Sequence, residues 1–271
     1  MSQPSAPSWA LPPLDAFADG QSAVCALGGT GQPAREPLVE EAPITLVFND
    51  SVALTLMATP LLAEELALGF CLSEGLVERA SEVGELHAVP TGAGLSVFVE
   101  LPEHRLDALR QRRRLGAAPG GCGLCGIEDQ RSLLTLPAGR LTPIELAEGA
   151  LARALQALPR HQPLNARTGG AHAAAWIDAQ GTIHTVAEDA SRHCALDKLI
   201  GRLARHGLNP ADGGFLVTSR ASYELVHKTA RVGCGLLAAV SAPTGLAVRA
   251  AEACGMALYG FVREGRATRY A

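Results

Sequence analysis

Residues 215–262 read FLVTSRASYELVHKTARVGCGLLAAVSAPTGLAVRAAEACGMALYGFV. Short apolar runs alternate in this stretch with segments whose apolar side chains recur at helical spacing, which predicts three strands and two helices. The predicted strands cover residues 215–218, 236–240 and 256–262, and the predicted helices cover residues 223–230 and 243–253. Because helices usually connect parallel strands, the stretch predicts an α/β fold with a mixed, largely parallel sheet and helices on both faces.

Upstream of this stretch the sequence predicts a hairpin and two capped helices. Apolar and β-branched residues at 44–48 and 52–57 flank Asn49-Asp50, which is typical of a β-hairpin. Thr59-Pro60 predicts a helix start, with Thr59 as the N-cap and Pro60 in the first turn. Thr142-Pro143-Ile144-Glu145 has the form of a capping box and predicts the start of another helix.

Composition divides the chain and excludes several classes of protein. Residues 1–35 are interrupted by proline and glycine without a sustained apolar period, which predicts a mobile N-terminal tail. We expect an N-terminal α+β part over residues 36–141 and a C-terminal α/β cofactor-binding part over residues 142–271. The net charge of −4 argues against a nucleic-acid binder. No apolar run approaches the ~20 residues that span a bilayer, and the first residues do not resemble a secretory signal. The predicted location is the cytoplasm.

Six of the seven cysteines fall into two groups. Cys25, Cys71, Cys234 and Cys254 stand singly, which is typical of small core residues. The other notable pair lies in the loop Gly120-Gly121-Cys122-Gly123-Leu124-Cys125-Gly126. A structural zinc site usually needs four ligands, and a thioredoxin-like centre needs a helix directly after the pair. A nucleophilic or sulfur-carrying cysteine remains as the functional hypothesis, and two unreactive cysteines remain as the structural one.

A zinc deaminase is disfavoured by the order of its motifs. Such enzymes carry His-x-Glu before Pro-Cys-x-x-Cys, and the glutamate is the general acid and base. Here His172 is followed by Ala173-Ala174 and lies after the cysteine pair, and Gly121 stands where the proline belongs. We therefore expect no catalytic zinc.

Polar segments follow several predicted strands in the C-terminal half. Ligands of α/β sheets bind at the carboxyl ends of strands, and helix N-termini accept anions, so these segments together predict one nucleotide-like pocket. Neither a Gly-x-Gly-x-x-Gly nor a Walker A loop occurs, which argues against an ordinary dinucleotide or nucleoside triphosphate site. The segments are Thr168-Gly169-Gly170-Ala171-His172, Glu188-Asp189-Ala190-Ser191-Arg192-His193, Thr218-Ser219-Arg220 and Ser241-Ala242-Pro243-Thr244.

An ordered set of motifs from about residue 40 to residue 270 resembles the formate dehydrogenase accessory sulfurtransferase (FdhD) family. Each motif alone is weak, whereas the set in this order is specific. The motifs are Glu41-Ala42-Pro43-Ile44, Met57-Ala58-Thr59-Pro60, Leu68-Gly69-Phe70-Cys71-Leu72-Ser73-Glu74-Gly75, Cys122-Gly123-Leu124-Cys125-Gly126, Thr168-Gly169-Gly170-Ala171-His172, Arg192-His193, Ala195-Leu196-Asp197-Lys198, Ala242-Pro243-Thr244 and Gly260-Phe261-Val262-Arg263.

The resemblance implies one family domain over residues 36–271 with a core like that of cytidine deaminases, without the zinc chemistry. It implies a dimeric sulfurtransferase that accepts persulfide sulfur from a cysteine desulfurase on a loop cysteine. The sulfur goes to the Mo-bis(molybdopterin guanine dinucleotide) cofactor, a bound substrate that GDP or GMP can mimic, for the formate dehydrogenase apo-enzyme. Cys122 is the expected carrier, and Cys125 either assists release or is itself the carrier.

The resemblance also implies a set of residues that bind the cofactor. Arg263 and Arg266 are the first candidates for its phosphates, because arginine binds phosphate in a bidentate manner, with Arg220 and His193 next. The full set comprises Phe261, Val262, Arg263, Glu264, Gly265, Arg266, Thr168, Gly169, Gly170, His172, Asp189, Arg192, His193, Ser219, Arg220, Ser241, Ala242, Pro243 and Thr244.

The chain lacks a positive charge, a glycine and an asparagine of the family pattern, which is close to Arg-Glu-Asp-Val-Gly-Arg-His-Asn. Ala187, Ser191 and Cys194 replace an arginine, a glycine and the asparagine, and Cys194 could add a thiol to the pocket.

Two other functions compete with sulfur transfer. A chaperone that holds the molybdenum cofactor for the apo-enzyme would need the pocket but not the thiols, so Cys122→Ala separates the two. A redox protein would need a reversible disulfide between the paired cysteines but not the pocket.

Overall fold

The computed structural model describes residues 20–24, 34–106, 134–137 and 139–271, and the side chains from residue 37 onward within these ranges. The described part forms a mixed α/β fold of two mixed β-sheets, a two-stranded ribbon and the helices that surround them. The elements are β1 (Gly20–Val24), β2 (Ala34–Leu38), β3 (Ala42–Phe48), β4 (Val52–Ala58), α1 (Ala63–Ser73), β5 (Leu86–Thr91), β6 (Gly94–Val99), α2 (Ala150–Ala157), α3 (Pro163–Thr168), β7 (His172–Ile177), β8 (Ile183–Asp189), α4 (Arg192–Arg205), β9 (Gly214–Val217), α5 (Tyr223–Arg231), β10 (Leu236–Ala239), α6 (Gly245–Cys254), β11 (Ala257–Arg263) and β12 (Arg266–Arg269).

The N-terminal sheet has the strand order β4-β3-β6-β5. The predicted hairpin is confirmed, since β3 and β4 pair antiparallel around Asn49 and Asp50. The three-residue loop Asn49-Asp50-Ser51 connects the paired residues Phe48 and Val52, and Ser51 N donates to Phe48 O at 3.0 Å. Asn49 and Asp50, at the centre of this turn, have positive φ of 44° and 54°, which Asn and Asp tolerate. Alternate residues of β3 are buried, so one face of the sheet packs against α1.

The C-terminal sheet has the strand order β12-β11-β10-β9-β7-β8. Its mixed character is as predicted, but parallel pairs do not dominate. β10 pairs in parallel with β9 and β11, whereas the other three neighbouring pairs are antiparallel. The hairpins β7–β8 and β11–β12 explain the difference, because their short turns cannot carry the crossover that parallel strands need.

Helices cover both faces of the C-terminal sheet, as predicted. Ala174, Phe215 and Leu237 point to one face and share a core with α4, α5 and α6. Ala175 and Leu216 point to the other face, where α2 packs. The alternation follows from the two-residue period of strands.

The two halves of the chain are joined by close contact between α1 and α4. A Cβ on Gly69 would lie 1.7 Å from Asp197 O, and a Cβ on Gly201 would lie 1.9 Å from Glu65 O. Only glycine permits helix backbones to approach so closely. Cys194 of α4 consequently belongs to the core of the N-terminal sheet.

Two predicted helix starts are wrong. α1 begins at Ala63 rather than at Thr59-Pro60, because the Thr59 hydroxyl accepts a hydrogen bond from Ala190 N, 3.1 Å away, instead of capping its own helix. Residues 141–147, predicted to be helical, form an irregular segment, and α2 begins after Gly149. Tertiary bonds replace the helical ones there, for example from Ala147 N to Ala179 O at 2.8 Å.

A short ribbon includes residues from the segment that was predicted to be a tail. Within residues 1–35, β1 pairs antiparallel with β2, although nothing in its apolar pattern signals a strand. Main-chain hydrogen bonds to a partner strand define such a ribbon, and they leave no side-chain signature. No helix in the described ranges has the length and hydropathy needed to cross a membrane.

Candidate functional site

Most of the predicted polar segments meet at one edge of the C-terminal sheet. His172, the first residue of β7, is the register partner of Asp189, the last residue of β8. Thr218 follows β9 at the same edge, where its Oγ1 accepts from Ala173 N at 2.9 Å and its own N donates to Ala173 O at 3.0 Å. Because β7 runs antiparallel to β8 and β9, its first residue lies beside the carboxyl ends of those two strands.

The segments after β9 and β10 lie side by side with β11. Ser241 N donates to Ser219 O at 3.4 Å, and Phe261 N donates to Ser241 O at 3.1 Å. A main-chain bridge links Ala221 to Pro243. These bonds bring together the predicted residues Ser219, Arg220, Ser241, Ala242, Pro243, Thr244 and Phe261.

Phe261 has an unusual backbone conformation. Its φ is 49°, and its side chain is 40% exposed. Positive φ is rare for a bulky residue and marks stored strain. The residue lies within an irregularity of the β11–β12 register between Gly260 and Arg263, where a Cβ on Gly260 would lie 2.6 Å from Pro243 Cδ. The strain presents an aromatic ring to solvent beside the polar segments.

Residues 262–266 do not lie with the polar segments that follow β9 and β10. Val262 is fully buried in the core on the α2 side, so its side chain faces away from the edge. Arg263 donates through Nη1 to Val240 O and, at 3.0 Å, to Val262 O. Arg263, Gly265 and Arg266 line a cleft of about 350 Å3 with residues 146–152, and Glu264 lies in the same exposed turn.

Thr168, Gly169 and Gly170 form the exposed end of α3 just before His172. Gly169 has a φ of 66° and ends the helix in the left-handed conformation. The Thr168 hydroxyl donates to Leu164 O at 2.8 Å. Glu188, which the sequence did not single out, accepts from the first main-chain N–H groups of α3 at 2.8 and 2.9 Å, and thereby places this turn next to β8.

The first turn of α4 holds Arg192 and His193. Asp189 Oδ1 accepts from Ser191 N at 2.7 Å, directly ahead of this turn. His193 Nε2 lies 3.0 Å from Glu224 Oε2, at the start of α5. Glu224 was missed from the sequence, because an acidic residue in a first helical turn usually indicates only a favourable helix dipole.

Both histidines at the edge are poor bases. Burial, and then the Arg192 guanidinium, lower the pKa of His172, although Asp189 acts in the opposite direction. Burial lowers the pKa of His193 to about 3, with Arg192 and Lys228 adding to the effect. At neutral pH both rings are therefore uncharged and can donate or accept, but they bring no positive charge to a phosphate.

Two buried lysines lie behind the edge. Lys198 Nζ donates to Asp189 Oδ2 and, at 2.7 Å, to Thr59 O. Lys228 Nζ lies 2.8 Å from Glu74 Oε1 and 2.9 Å from Asp197 Oδ2. Burial alone would lower the pKa of Lys228, but Asp197 and Glu74 raise it. Asp189 is fully buried in this network, so it positions the edge rather than facing a ligand.

The cysteines of the described part are inert. Cys71, Cys194, Cys234 and Cys254 are free and buried, which confirms the core role predicted for three of them. Burial raises the pKa of Cys194 to about 12, and its Sγ faces Met57 O at 3.8 Å. Cys194 is therefore not an additional pocket thiol. Cys122 and Cys125, the predicted carriers, lie outside the described residues, as does Cys25.

Comparisons with known proteins agree on one family. The model of the FdhD/NarQ family matches residues 39–271. The sulfur carrier protein FdhD of Chromobacterium violaceum is 46% identical over 240 residues, 88% of this chain and 89% of that protein. Its namesake in Xanthomonas euvesicatoria is 44% identical over 237 residues, covering 88% and 84%. The crystal structure of a protein described as a formate dehydrogenase accessory protein, from Desulfotalea psychrophila, matches in fold with a TM-score of 0.73 at 22% identity, over 93% of this chain and 95% of that one. This chain belongs to the FdhD/NarQ family.

Proposed function

We propose that this protein is a sulfur carrier that accepts sulfur from a cysteine desulfurase and delivers it to a molybdenum cofactor for formate dehydrogenase. Similar proteins named sulfur carrier protein FdhD support the carrier role. The cofactor role is supported by one observation above all, the convergence of four separate polar segments at a single sheet edge. Such edges are where α/β proteins bind ligands.

Sulfur acceptance begins with the Cys122 thiolate. The thiolate attacks the terminal sulfur of the desulfurase persulfide, a new S–S bond forms on Cys122, and the desulfurase cysteine leaves as a thiolate. Only the thiolate is nucleophilic. The exchange conserves electrons, so it needs neither an oxidant nor a reductant.

Delivery uses the second thiol of the pair. The Cys125 thiolate attacks the inner sulfur of the Cys122 persulfide, a Cys122–Cys125 disulfide closes, and the terminal sulfur leaves as hydrosulfide toward the metal of the bound cofactor. Exchanged roles, with Cys125 as the carrier, give the same balance. Single substitutions distinguish the two assignments.

The cofactor is a substrate that the described edge suits chemically. Arg192 Nε and His193 Nδ1 are buried and have no hydrogen-bond partner in the described part of the chain, and buried polar atoms of this kind are usually satisfied by a ligand or water. Phe261 offers an exposed ring that can stack on a guanine. Arg220, Arg263 and Arg266 are the candidates for the phosphates. GDP and GMP are the expected soluble mimics.

Other parts of the proposal concern the surroundings of the protein. We infer a homodimer in the cytoplasm, where thiols stay reduced, that binds the desulfurase and the formate dehydrogenase apo-enzyme in turn. We also propose that the C-terminal sheet shares its core arrangement with cytidine deaminases. We propose neither a nucleic acid nor a membrane as a partner.

Intact-protein mass spectrometry after incubation with a cysteine desulfurase and cysteine tests the carrier role. We expect the wild type to gain sulfur that a reductant removes, and Cys122→Ala to gain none. Cys194→Ala, which removes a buried thiol, is the matched control and should gain sulfur like the wild type. If the wild type gains no sulfur but binds GDP, a cofactor-holding chaperone replaces the carrier, because the described edge contains no reactive thiol.

A further inference from the structure

His193 uses only one of its two ring nitrogens within the protein. Nε2 lies 3.0 Å from Glu224 Oε2, whereas Nδ1 is buried and has no hydrogen-bond partner among the residues that the structure describes. The whole residue is only 7% exposed. Buried polar atoms are almost always paired, so this nitrogen indicates a missing partner at the start of α4.

Glu224 decides which nitrogen carries the proton. A carboxylate can only accept a hydrogen bond, so Nε2 must hold the hydrogen. Burial, Arg192 and Lys228 keep the pKa of His193 near 3, and they outweigh the carboxylate of Glu74, which favours protonation. Nδ1 of the neutral ring therefore presents a lone pair.

A buried lone pair requires a donor. An unsatisfied buried acceptor is unfavourable, and a phosphate cannot satisfy it, because the oxygens of an ionised phosphate carry no hydrogen. The adjacent Arg192 requires an acceptor, because its buried Nε–H donor has no hydrogen-bond partner among the described residues. A ligand that satisfies both residues presents an acceptor and an N–H group together.

We infer that His193, oriented by Glu224, selects at this sheet edge for a heterocycle with an N–H group, the amide edge that guanine and pterin rings share. The inference rests on the proposed function and deepens it. It assigns the start of α4 to a ring of the cofactor rather than to its phosphates. The phosphates are left to the exposed arginines at other positions, of which Arg263 and Arg266 line a cleft of their own.

Calorimetric titration of the full chain tests the inference with four probes: GDP, 1-methyl-GDP, pterin and pyrophosphate. 1-Methyl-GDP lacks the ring N–H, and pyrophosphate lacks the ring. The variants are His193→Leu, which removes the acceptor, and His193→Asn, whose side-chain oxygen can replace Nδ1. Circular dichroism checks that each variant is folded. His193→Asn keeps the test informative if His193→Leu fails to fold.

We expect His193→Leu to weaken binding of GDP, pterin or both roughly tenfold, the factor that corresponds to about 1.4 kcal/mol, and to leave pyrophosphate unchanged. His193→Asn should recover part of the loss. The penalty for 1-methylation should be smaller in His193→Leu than in the wild type, since coupled groups are not additive. A loss for GDP alone assigns guanine, and a loss for pterin alone assigns the pterin.

Two results would overturn the inference while leaving the proposed function intact. One is binding of GDP or pterin by the wild type with unchanged affinity for both rings in His193→Leu. The other is a loss of pyrophosphate binding in His193→Leu, which would place a phosphate at His193. If the wild type binds neither GDP nor pterin, the proposed cofactor site fails and this inference fails with it. Sulfur gain on Cys122, measured separately, does not depend on His193 and reports on the carrier role alone.

Discussion

Lys198 Nζ lies 2.5 Å from Asp189 Oδ2, and neither side chain has any exposed surface. The same Asp189 oxygen accepts from Thr59 N at 3.1 Å, while its other oxygen accepts from Ser191 N. The Thr59 hydroxyl in turn accepts from Ala190 N. This buried clasp joins the end of β4 in the N-terminal sheet to the first turn of α4, where Arg192 and His193 stand.

Loss of the lysine should be far more harmful than loss of the whole ion pair. Lys198→Met leaves the Asp189 carboxylate buried without a counter-charge, and we expect a stability loss of about 3–5 kcal/mol. Lys198→Met combined with Asp189→Asn removes both charges and should be less destabilised than Lys198→Met alone. Urea unfolding followed by circular dichroism measures both. Equal losses in the single and double variants would contradict the role of charge in this clasp.

The Thr59 hydroxyl should matter more than its methyl group. Thr59→Val keeps the shape of the side chain but leaves Ala190 N without its acceptor, and we expect a loss of about 1–3 kcal/mol. Thr59→Ser keeps the hydroxyl and is the matched control, with a smaller loss. Thermal unfolding of the two variants under one condition gives the comparison. A greater loss in Thr59→Ser would show that packing of the methyl group, not the hydrogen bond, is the main contribution.

A side chain at the α1–α4 crossing should force the two helices apart. Gly69→Ala would place a Cβ 1.7 Å from Asp197 O, a main-chain atom that cannot rotate away, and overpacking of this kind costs roughly 1–3 kcal/mol. Gly245→Ala, where the nearest atom is Arg249 Nη1 at 3.5 Å, is the control and should change stability by less than about 0.5 kcal/mol. Denaturant unfolding compares them. Equal effects would show that the helices can separate without penalty.

Local patterns in the sequence predicted most of the fold but not the contacts between its halves. The β3–β4 hairpin and helices α5 and α6 follow from apolar spacing and turn residues, and all are present. Thr59 and Thr142 carry good capping signals, yet neither starts a helix. The Thr59 hydroxyl accepts from the distant Ala190 N, and in the segment after Thr142 the main-chain N of Ala147 donates to Ala179 O. Propensity is a weak predictor wherever tertiary contacts compete.

In the candidate site, too, the features that depend on local sequence were predicted, whereas contacts between elements distant in sequence were not. Strand-to-helix polar segments predicted which residues gather at the edge, since sheet topology alone brings them together. Glu224, Glu74 and Lys228 could not be found in this way, because their roles depend on which helices pack against one another. Asp189, predicted as a ligand contact, is fully buried, and its two carboxylate oxygens accept from Ser191 N and Lys198 Nζ.

Acidification should destabilise the protein through its neutral histidine. The pKa of His193 falls from an ordinary 6.5 to about 3 on folding, because of burial, Arg192 and Lys228. The unfolded chain therefore binds more protons than the folded one between these values, and stability is lost as the pH falls below about 6.5, by at most about 1.4 kcal/mol per pH unit for this group. His172 contributes with the same sign. We expect the dependence of the unfolding free energy on pH, measured between pH 4 and 7 in urea, to be shallower in His193→Asn than in the wild type. His184→Asn is the matched control, because His184 is exposed, and it should keep most of the wild-type slope. An unchanged slope in His193→Asn would mean that the ring is already protonated in the folded protein and that its contact with Glu224 is a true ion pair.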